Sequence, residues 1–189
     1  MIPRFLLAAV AVLVIIRGAR AADDILIADF EGPTYGPWQA EGEAFGTGPA
    51  RGTLPSQMKV SGFQGQGLVN TFRGGDGPTG TLTSPAFTIE RDYITFLIGG
   101  GSHPGKTCME LLVDGRLVFA ATGPAPEAGL GELLTWRTWD VRDHRGAKAA
   151  LRIVDAASDG WGHVNVDQIA QRDTPRKQTT PSPVRNAPL

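Results

Sequence analysis

The stretch MELLVDGRLVFAAT, residues 109–122, decides the fold class. Two apolar segments flank the dipeptide Asp114-Gly115. A two-residue hairpin turn needs positive φ at its central positions, and Asp-Gly tolerates that conformation better than most pairs. The stretch therefore predicts two antiparallel strands joined by a tight turn, rather than a helix.

Similar short segments, rich in β-branched and aromatic residues, continue in both directions along the chain. They predict further strands at 25–30, 67–72, 81–89, 93–99, 135–141, 149–155 and 164–170. Gly supplies 25 of the 189 residues, so turns are frequent, and helix-length apolar periodicity is missing. We predict an all-β, single-domain fold, an antiparallel β-sandwich of jelly-roll-like type. Alternation places Ile94, Phe96 and Ile98 on one face, and Trp136 and Trp139 on opposite faces.

The two ends of the chain differ from this middle part. Residues 1–21 carry Arg4, an apolar run at 5–16 and the small residues Ala19 and Ala21, which predicts a secretory signal peptide. We expect a secreted or periplasmic protein with no membrane span after cleavage; a retained N-terminal anchor is the alternative. Residues 22–172 form the predicted β-sandwich domain, and the Pro-rich residues 173–189 a disordered tail.

Charge and motif spacing argue against several partners. Acidic residues outnumber Lys and Arg over 22–172, so we expect no nucleic-acid partner. The segment GGSHPGKT at 100–107 matches a phosphate-binding loop, but that motif needs a following helix. A predicted strand and the Asp114-Gly115 turn follow instead, so we expect no nucleotide. Cys108 is the single cysteine and leaves no intramolecular disulfide to stabilise the fold.

Three carboxylates suggest a metal site. In an antiparallel sandwich the first and last strands are often neighbours, which would bring Asp29 and Glu31 close to Asp167. Carboxylate and carbonyl oxygens are the ligands that Ca²⁺ takes, so we predict a structural calcium ion there. The alternative is that Asp29 and Asp167 accept hydrogen bonds from backbone groups at strand ends.

The segment DGWGHVNVDQI, residues 159–169, mixes aromatic and polar residues at a predicted strand and its entrance. Sugar rings stack on aromatic faces while polar side chains bind their hydroxyls. The period of two places His163, Asn165 and Asp167 on one face of this strand. The candidate ligand-binding residues are Tyr35, Trp38, His103, Asp159, Trp161, His163 and Asn165. The alternative for Trp38 and Trp161 is a role in capping the core.

Catalytic signals are weak, and we predict that the chain is not an enzyme. No G-x-S-x-G nucleophile turn occurs. Glu110, Asp114, Asp140 and Asp143 could be paired as glycosidase carboxylates, but nothing in their spacing brings two of them to one cleft. No catalytic residue is assigned.

Four segments resemble one known family. They are DFEGPTYGPWQAEGEAFGTGPARGTLPSQMKVSGFQGQGLVN (29–70), GTLTSPAFTIERDYITFLIGGGSHPGKTC (80–108), LLVDGRLVFAATG (111–123) and GWGHVNVDQI (160–169). Together they resemble the accessory, non-catalytic β-sandwich region associated with glycoside hydrolase family 32, the levanase and fructofuranosidase group. The resemblance implies a jelly-roll-like domain that binds carbohydrate. The catalytic propeller of that family and its W-M-N-D-P-N-G, R-D-P and E-C segments are absent from this sequence.

The residues and the resemblance lead to one functional hypothesis and two alternatives. The hypothesis is an exported, non-catalytic carbohydrate-binding module for a polysaccharide or oligosaccharide, with fructan as the expected ligand. The first alternative is a structural or cell-surface module whose partner is a protein. The second is a weak glycoside hydrolase.

Overall fold

Two antiparallel β-sheets pack face to face in the structure, a computed structural model that describes residues 22–124 and 131–177. A 3₁₀ turn lies at Arg142–His144. The predicted all-β antiparallel sandwich is confirmed. Its strands are β1 (Ile25–Ala28), β2 (Gln39–Gly42), β3 (Val69–Asn70), β4 (Gly80–Thr83), β5 (Phe87–Thr88), β6 (Tyr93–Gly100), β7 (Thr107–Val113), β8 (Arg116–Thr122), β9 (Thr135–Asp140), β10 (Lys148–Asp155) and β11 (Val164–Arg172).

The strand order brings the beginning and end of the domain together. The first sheet runs β1-β11-β6-β9, and β3 also pairs with β11. The second sheet runs β2-β4-β10-β7-β8, and β5 also pairs with β10. Ile25 pairs with Gln171 and Leu26 with Ala170, so the first and last strands are neighbours as the sequence predicts. This pairing places residues 29–31, just after β1, near Asp167 on β11.

The hairpin of β7 and β8 has the predicted two-residue turn. Asp114 and Gly115 adopt φ angles of 49° and 77°, the positive values that such a turn requires. Val113 pairs with Arg116 across the turn, which fixes the register of both strands.

Replacing Gly115 by Ala should lower the free energy of unfolding by about 1 kcal/mol, since a Cβ is disfavoured at positive φ. No atom lies within 4 Å of the added Cβ, so the cost is conformational rather than steric. Urea-induced unfolding measures it. Gly77→Ala is the matched control, because that glycine also has open space but no positive φ. Equal losses in the two variants would contradict this account of the turn.

The main core lies between the sheets, and a second apolar cluster lies outside the first sheet. Ile94, Phe96 and Ile98 enter the main core together, and Trp139 does so while Trp136 does not, all as predicted. The second cluster joins Leu97 and Leu134 to residues of the covering segment 50–68, namely Ala50, Val60 and Leu68. Both faces of β6 and β11 are therefore buried, because this segment covers the outer face of the sheet.

Arg176, near the beginning of the predicted C-terminal tail, contacts β9. Thr138 Oγ1 donates a hydrogen bond to the carbonyl oxygen of Arg176 at 2.9 Å. The guanidinium of Arg176 lies 3.9 Å from the ring centre of Trp136, a cation–π contact that the tail composition does not reveal. The predicted signal peptide and residues 178–189 lie outside the described residues. In the parts of the chain that the structure describes, no helix has the length and apolar character needed to cross a membrane.

Candidate functional site

The predicted ligand residues separate into two places. Tyr35 and Trp38 are buried in the main core, with 8% and 9% of their surface exposed. Phe30 packs edge-to-face against both rings, and the Tyr35 hydroxyl donates to the Phe45 carbonyl oxygen at 3.1 Å. Both residues also line an open cleft of about 430 Å³ beside β1 and residues 84–88. Both aromatics fill space between the sheets, which is the core-capping role given above as the alternative for Trp38, and their part in ligand binding stays a prediction.

The other predicted residues cluster around the start of β11. His103 Nε2 lies 3.2 Å from the Gly160 carbonyl oxygen, which joins the loop after β6 to the loop before β11. Asp159 is exposed, and its carbonyl oxygen accepts a hydrogen bond from the Gly162 N–H at 2.8 Å. Trp161, which follows in that loop, is partly exposed. The structure therefore brings five of the seven predicted ligand residues to one region.

His163 lies between two carboxylates. Its side chain is 3% exposed, with Nδ1 at 2.7 Å from Asp76 Oδ1 and Nε2 at 3.1 Å from Glu132 Oε1. An imidazole that faces a carboxylate on each side needs a proton on both nitrogens, which is the charged imidazolium form. Burial alone lowers the pKa of His163, but the hydrogen bonds and charges of Glu132 and Asp76 raise this pKa above its ordinary value overall.

Amides extend this network into the covering segment. Asn165 Nδ2 donates to Glu132 Oε2 at 2.8 Å, and Gln57 Nε2 donates to the same oxygen at 3.2 Å. Gln57 Oε1 in turn accepts a hydrogen bond from Asn70 Nδ2 at 2.8 Å. Hydrogen bonds thus connect residues 57, 70, 76 and 132, which are distant from one another in sequence, to the start of β11. The polar side chains of this strand are therefore part of a buried hydrogen-bond network.

Trp161 is held in an unusual backbone conformation beside this network. Its φ of 64° is disfavoured for a bulky residue. Its backbone N–H donates to Asp76 Oδ2 at 3.1 Å, and its indole stacks on the His163 ring with centroids 5.7 Å apart and planes 24° apart. The indole also packs so closely on Gly131 that a Cβ at that position would overlap the ring. The position of the indole is thus fixed by contacts on several sides.

Two adjoining hollows meet at this indole, and together we call them the Trp161 groove. The hollows measure about 270 and 300 Å³ and share Met58, Glu132 and Trp161. The first is also lined by Ser56, Phe72, Asp76, Gly160 and His163, and the second by Lys59, Ser61, Gly131 and Leu133. An aromatic ring beside carboxylate oxygens can pack on a sugar ring and accept hydrogen bonds from its hydroxyls.

Sequence reasoning missed three residues at this site. Asp76 and Glu132 bind His163 from loops 87 and 31 residues away along the chain. The one available signal for Asp76 is its position as the lone acid in the turn-forming run GGDG, residues 74–77. The third is Asp155, a carboxylate with 1% of its surface exposed. Burial raises the pKa of Asp155 to about 6.

The predicted metal ligands lie in a second polar region at the junction of β1 and β11. Asp167 Oδ2 accepts a hydrogen bond from the Gln64 N–H and its Oδ1 one from the Gln168 N–H, both at 2.7 Å. Glu31 Oε1 accepts from the N–H groups of Gln66 and Gly67 at 2.9 and 2.8 Å. The structure therefore shows the alternative arrangement for Asp167, in which backbone N–H groups donate hydrogen bonds to its carboxylate.

Charge accumulates in this second region. The pKa of Asp167 is raised to about 7: burial is the largest cause and the charges of Glu31 and Asp29 add to it, while two backbone hydrogen bonds oppose it. Asp29 Oδ1 accepts the Glu31 N–H at 3.2 Å. Over residues 22–124 and 131–177, no three His, Cys, Asp or Glu side chains already stand close enough together to hold a metal ion. The calcium site stays a prediction.

Comparison with known proteins gives one close sequence match. The chain is 44% identical over 160 residues to the "Putative glycosyl hydrolase ecdE" of Aspergillus rugulosus. The match covers 83% of this chain but 22% of that protein, so the chain spans about a fifth of the length of its relative. No family model matches the chain. The sequence comparison therefore places the chain beside one part of a longer protein.

Comparison with solved structures gives fold similarity at low identity. A Stig cyclase, Fisc, from Fischerella is 13% identical, with a TM-score of 0.51 over 82% of this chain and all of that one. A family 35 carbohydrate binding module from Clostridium thermocellum is 14% identical, with a TM-score of 0.40 over 79% of this chain and 97% of that one. Likeness to the cyclase at this identity shows the sandwich fold and no more.

Proposed function

We propose that this chain is an exported, non-catalytic carbohydrate-binding domain that holds a polysaccharide in the Trp161 groove. The observation that carries the proposal is the indole of Trp161, which lies partly exposed between two hollows, stacked on His163 and packed on Gly131. Asp76 holds the backbone of the same residue by accepting its N–H. A fixed aromatic surface beside hydrogen-bond acceptors binds a ring-shaped, hydroxyl-rich ligand with little ordering cost.

The similar protein supports a role beside a glycoside hydrolase. That protein is named a putative glycosyl hydrolase, and this chain matches a stretch of about a fifth of its length. A binding domain attached to such an enzyme would hold it on its polysaccharide and raise the local substrate concentration. The resemblance to the accessory region of glycoside hydrolase family 32 makes fructan the first ligand to test.

The chemistry of the groove supports binding rather than hydrolysis. A glycosidase needs one protonated and one ionised carboxyl group facing the scissile bond. Asp76 and Glu132 instead contact opposite nitrogens of the same His163 ring, so each carboxyl group is paired with the imidazole and not with the other across a substrate.

Trp161→Ala should weaken polysaccharide binding about tenfold or more, which corresponds to about 1.4 kcal/mol. Isothermal titration and tryptophan fluorescence, with a panel of levan, inulin, xylan, β-glucan and chitosan, measure the effect. Trp136→Ala is the matched control, since Trp136 lies on β9 outside the groove and should leave the affinity unchanged. Failure of the unaltered protein to bind any polysaccharide, or release of reducing ends from one of them, would contradict the proposal.

We further propose that Asp29, Glu31 and Asp167 hold a structural calcium ion. The residues fit the ion in their chemistry: Asp29 and Glu31 in the loop after β1 lie near enough to Asp167 on β11 for their charges to raise its pKa, and Asp167 is buried. The N–H groups of residues 64–67 occupy one oxygen of Asp167 and one of Glu31, so the ion would bind the remaining carboxylate oxygens. When bound, Ca²⁺ would neutralise these charges and link the two ends of the domain.

A further inference from the structure

We infer that the Trp161 groove selects neutral glycans and excludes glycans that carry carboxylate or sulfate groups. This inference rests on the proposed function, because it names the ligand class of the same groove. It depends on which hydrogen-bonding positions the network beneath the groove leaves free.

The donors beneath the groove are already used inside the protein. Both ring nitrogens of His163 face carboxylates, and Asn165 Nδ2 donates to Glu132. Gln57 Nε2 lies within hydrogen-bond distance of both Glu132 Oε2 and Asn70 Oδ1, at 3.2 and 3.3 Å. The Trp161 backbone N–H donates to Asp76. An incoming anion therefore meets few free N–H groups on this wall.

Acceptor positions remain free on the same wall. A carboxylate oxygen accepts about two hydrogen bonds. Asp76 Oδ1 and Oδ2 each accept one, from His163 and Trp161, and the Asp76 side chain is 26% exposed. The free positions suit the O–H donors of a neutral sugar. A ligand carboxylate placed there would lose water and lie beside a like charge, which is unfavourable on both counts.

The positive charges near the groove do not reverse this preference. The imidazolium of His163 is enclosed by Asp76 and Glu132, so two negative charges surround one positive charge. Lys59 is the one Lys or Arg side chain among the described lining residues, and it lies in an exposed part of the second hollow. An exposed ammonium contributes little to binding an anion at physiological salt.

The test compares chemically matched ligands on the full chain. The neutral polysaccharide that binds best in the panel above is carboxymethylated to increasing degrees, and each product is titrated. We expect the affinity to fall about tenfold or more at high substitution, and part of the loss to disappear at high salt because screening weakens the repulsion. Arg116→Ala, which removes an exposed positive charge on β8 outside the groove, should behave like the unaltered protein. Asp76→Asn, checked for folding by circular dichroism, should discriminate less.

The outcomes separate this inference from the proposed function. If no polysaccharide binds at all, the proposed function fails. If neutral and carboxymethylated forms bind equally well, the domain binds sugar but the inferred selectivity is wrong. A preference for the acidic form that disappears in Lys59→Ala would also overturn the inference, because it would show that Lys59 governs recognition.

Discussion

Replacing His163 by Leu is expected to lower the free energy of unfolding by about 3–5 kcal/mol. The imidazolium separates Asp76 and Glu132 and donates a hydrogen bond to each. Leucine fills a similar volume but supplies neither charge nor donor. Two carboxylates, one of them almost fully buried, would then face an apolar side chain without a compensating partner. Urea-induced unfolding at about pH 6, followed by tryptophan fluorescence, measures the loss.

A control and a rescue make this prediction specific. His103→Leu removes an imidazole that forms an exposed hydrogen bond with the Gly160 carbonyl oxygen. This substitution should lower the free energy of unfolding by no more than about 0.5 kcal/mol. Adding Asp76→Asn and Glu132→Gln to His163→Leu should recover part of the loss, because the unpaired buried charges disappear. Similar stability of the His163→Leu and His103→Leu proteins would show that His163 is not the centre of the network.

The fold could be predicted because its signals are local. The turn at Asp114-Gly115 and the alternation of Ile94, Phe96 and Ile98 depend on consecutive residues, and each determines its own strand. The pairing of β1 with β11 could also be predicted, because the first and last strands of an antiparallel sandwich are often neighbours. The missed strand β2 (Gln39–Gly42) has the sequence QAEG with all four residues exposed, so it carries neither apolar alternation nor β-branched residues.

The candidate site could be predicted in part. Residues 161–165 are found where the pattern suggests, but the alternation could not show that the polar face of β11 is buried. That face is covered by segment 50–68, about a hundred residues earlier in the chain, as the contact of Asp167 with Gln64 at a separation of 103 residues shows. The same limit explains Tyr35 and Trp38: whether an aromatic residue in a loop is covered or exposed depends on distant packing, which spacing does not encode.

Without calcium, the protein is expected to lose a few kcal/mol of stability as the pH rises from about 5 to about 8. Burial raises the pKa of Asp167 to about 7 and that of Asp155 to about 6, both from 3.8. Between 3.8 and these values the folded protein holds protons that the unfolded chain has released, so its stability falls as the pH rises. His163 has the same sign, since its pKa is also raised: its contribution is complete below about 6.5 and is lost above the folded pKa.

Calcium should reverse most of this loss at about pH 8, where Asp167 is ionised and able to bind the ion. Saturation at about 100 times the dissociation constant would add about 2.7 kcal/mol, seen as a higher urea midpoint that a chelator abolishes. Asp167→Asn is the control: it removes the buried charge, so both the pH dependence and the response to calcium should shrink together. A calcium response that persists in Asp167→Asn would place the ion elsewhere. If calcium does not raise the urea midpoint of the unaltered protein, only backbone hydrogen bonds stabilise the ionised Asp167. Its burial would then lower the free energy of unfolding at this pH whether or not calcium is present.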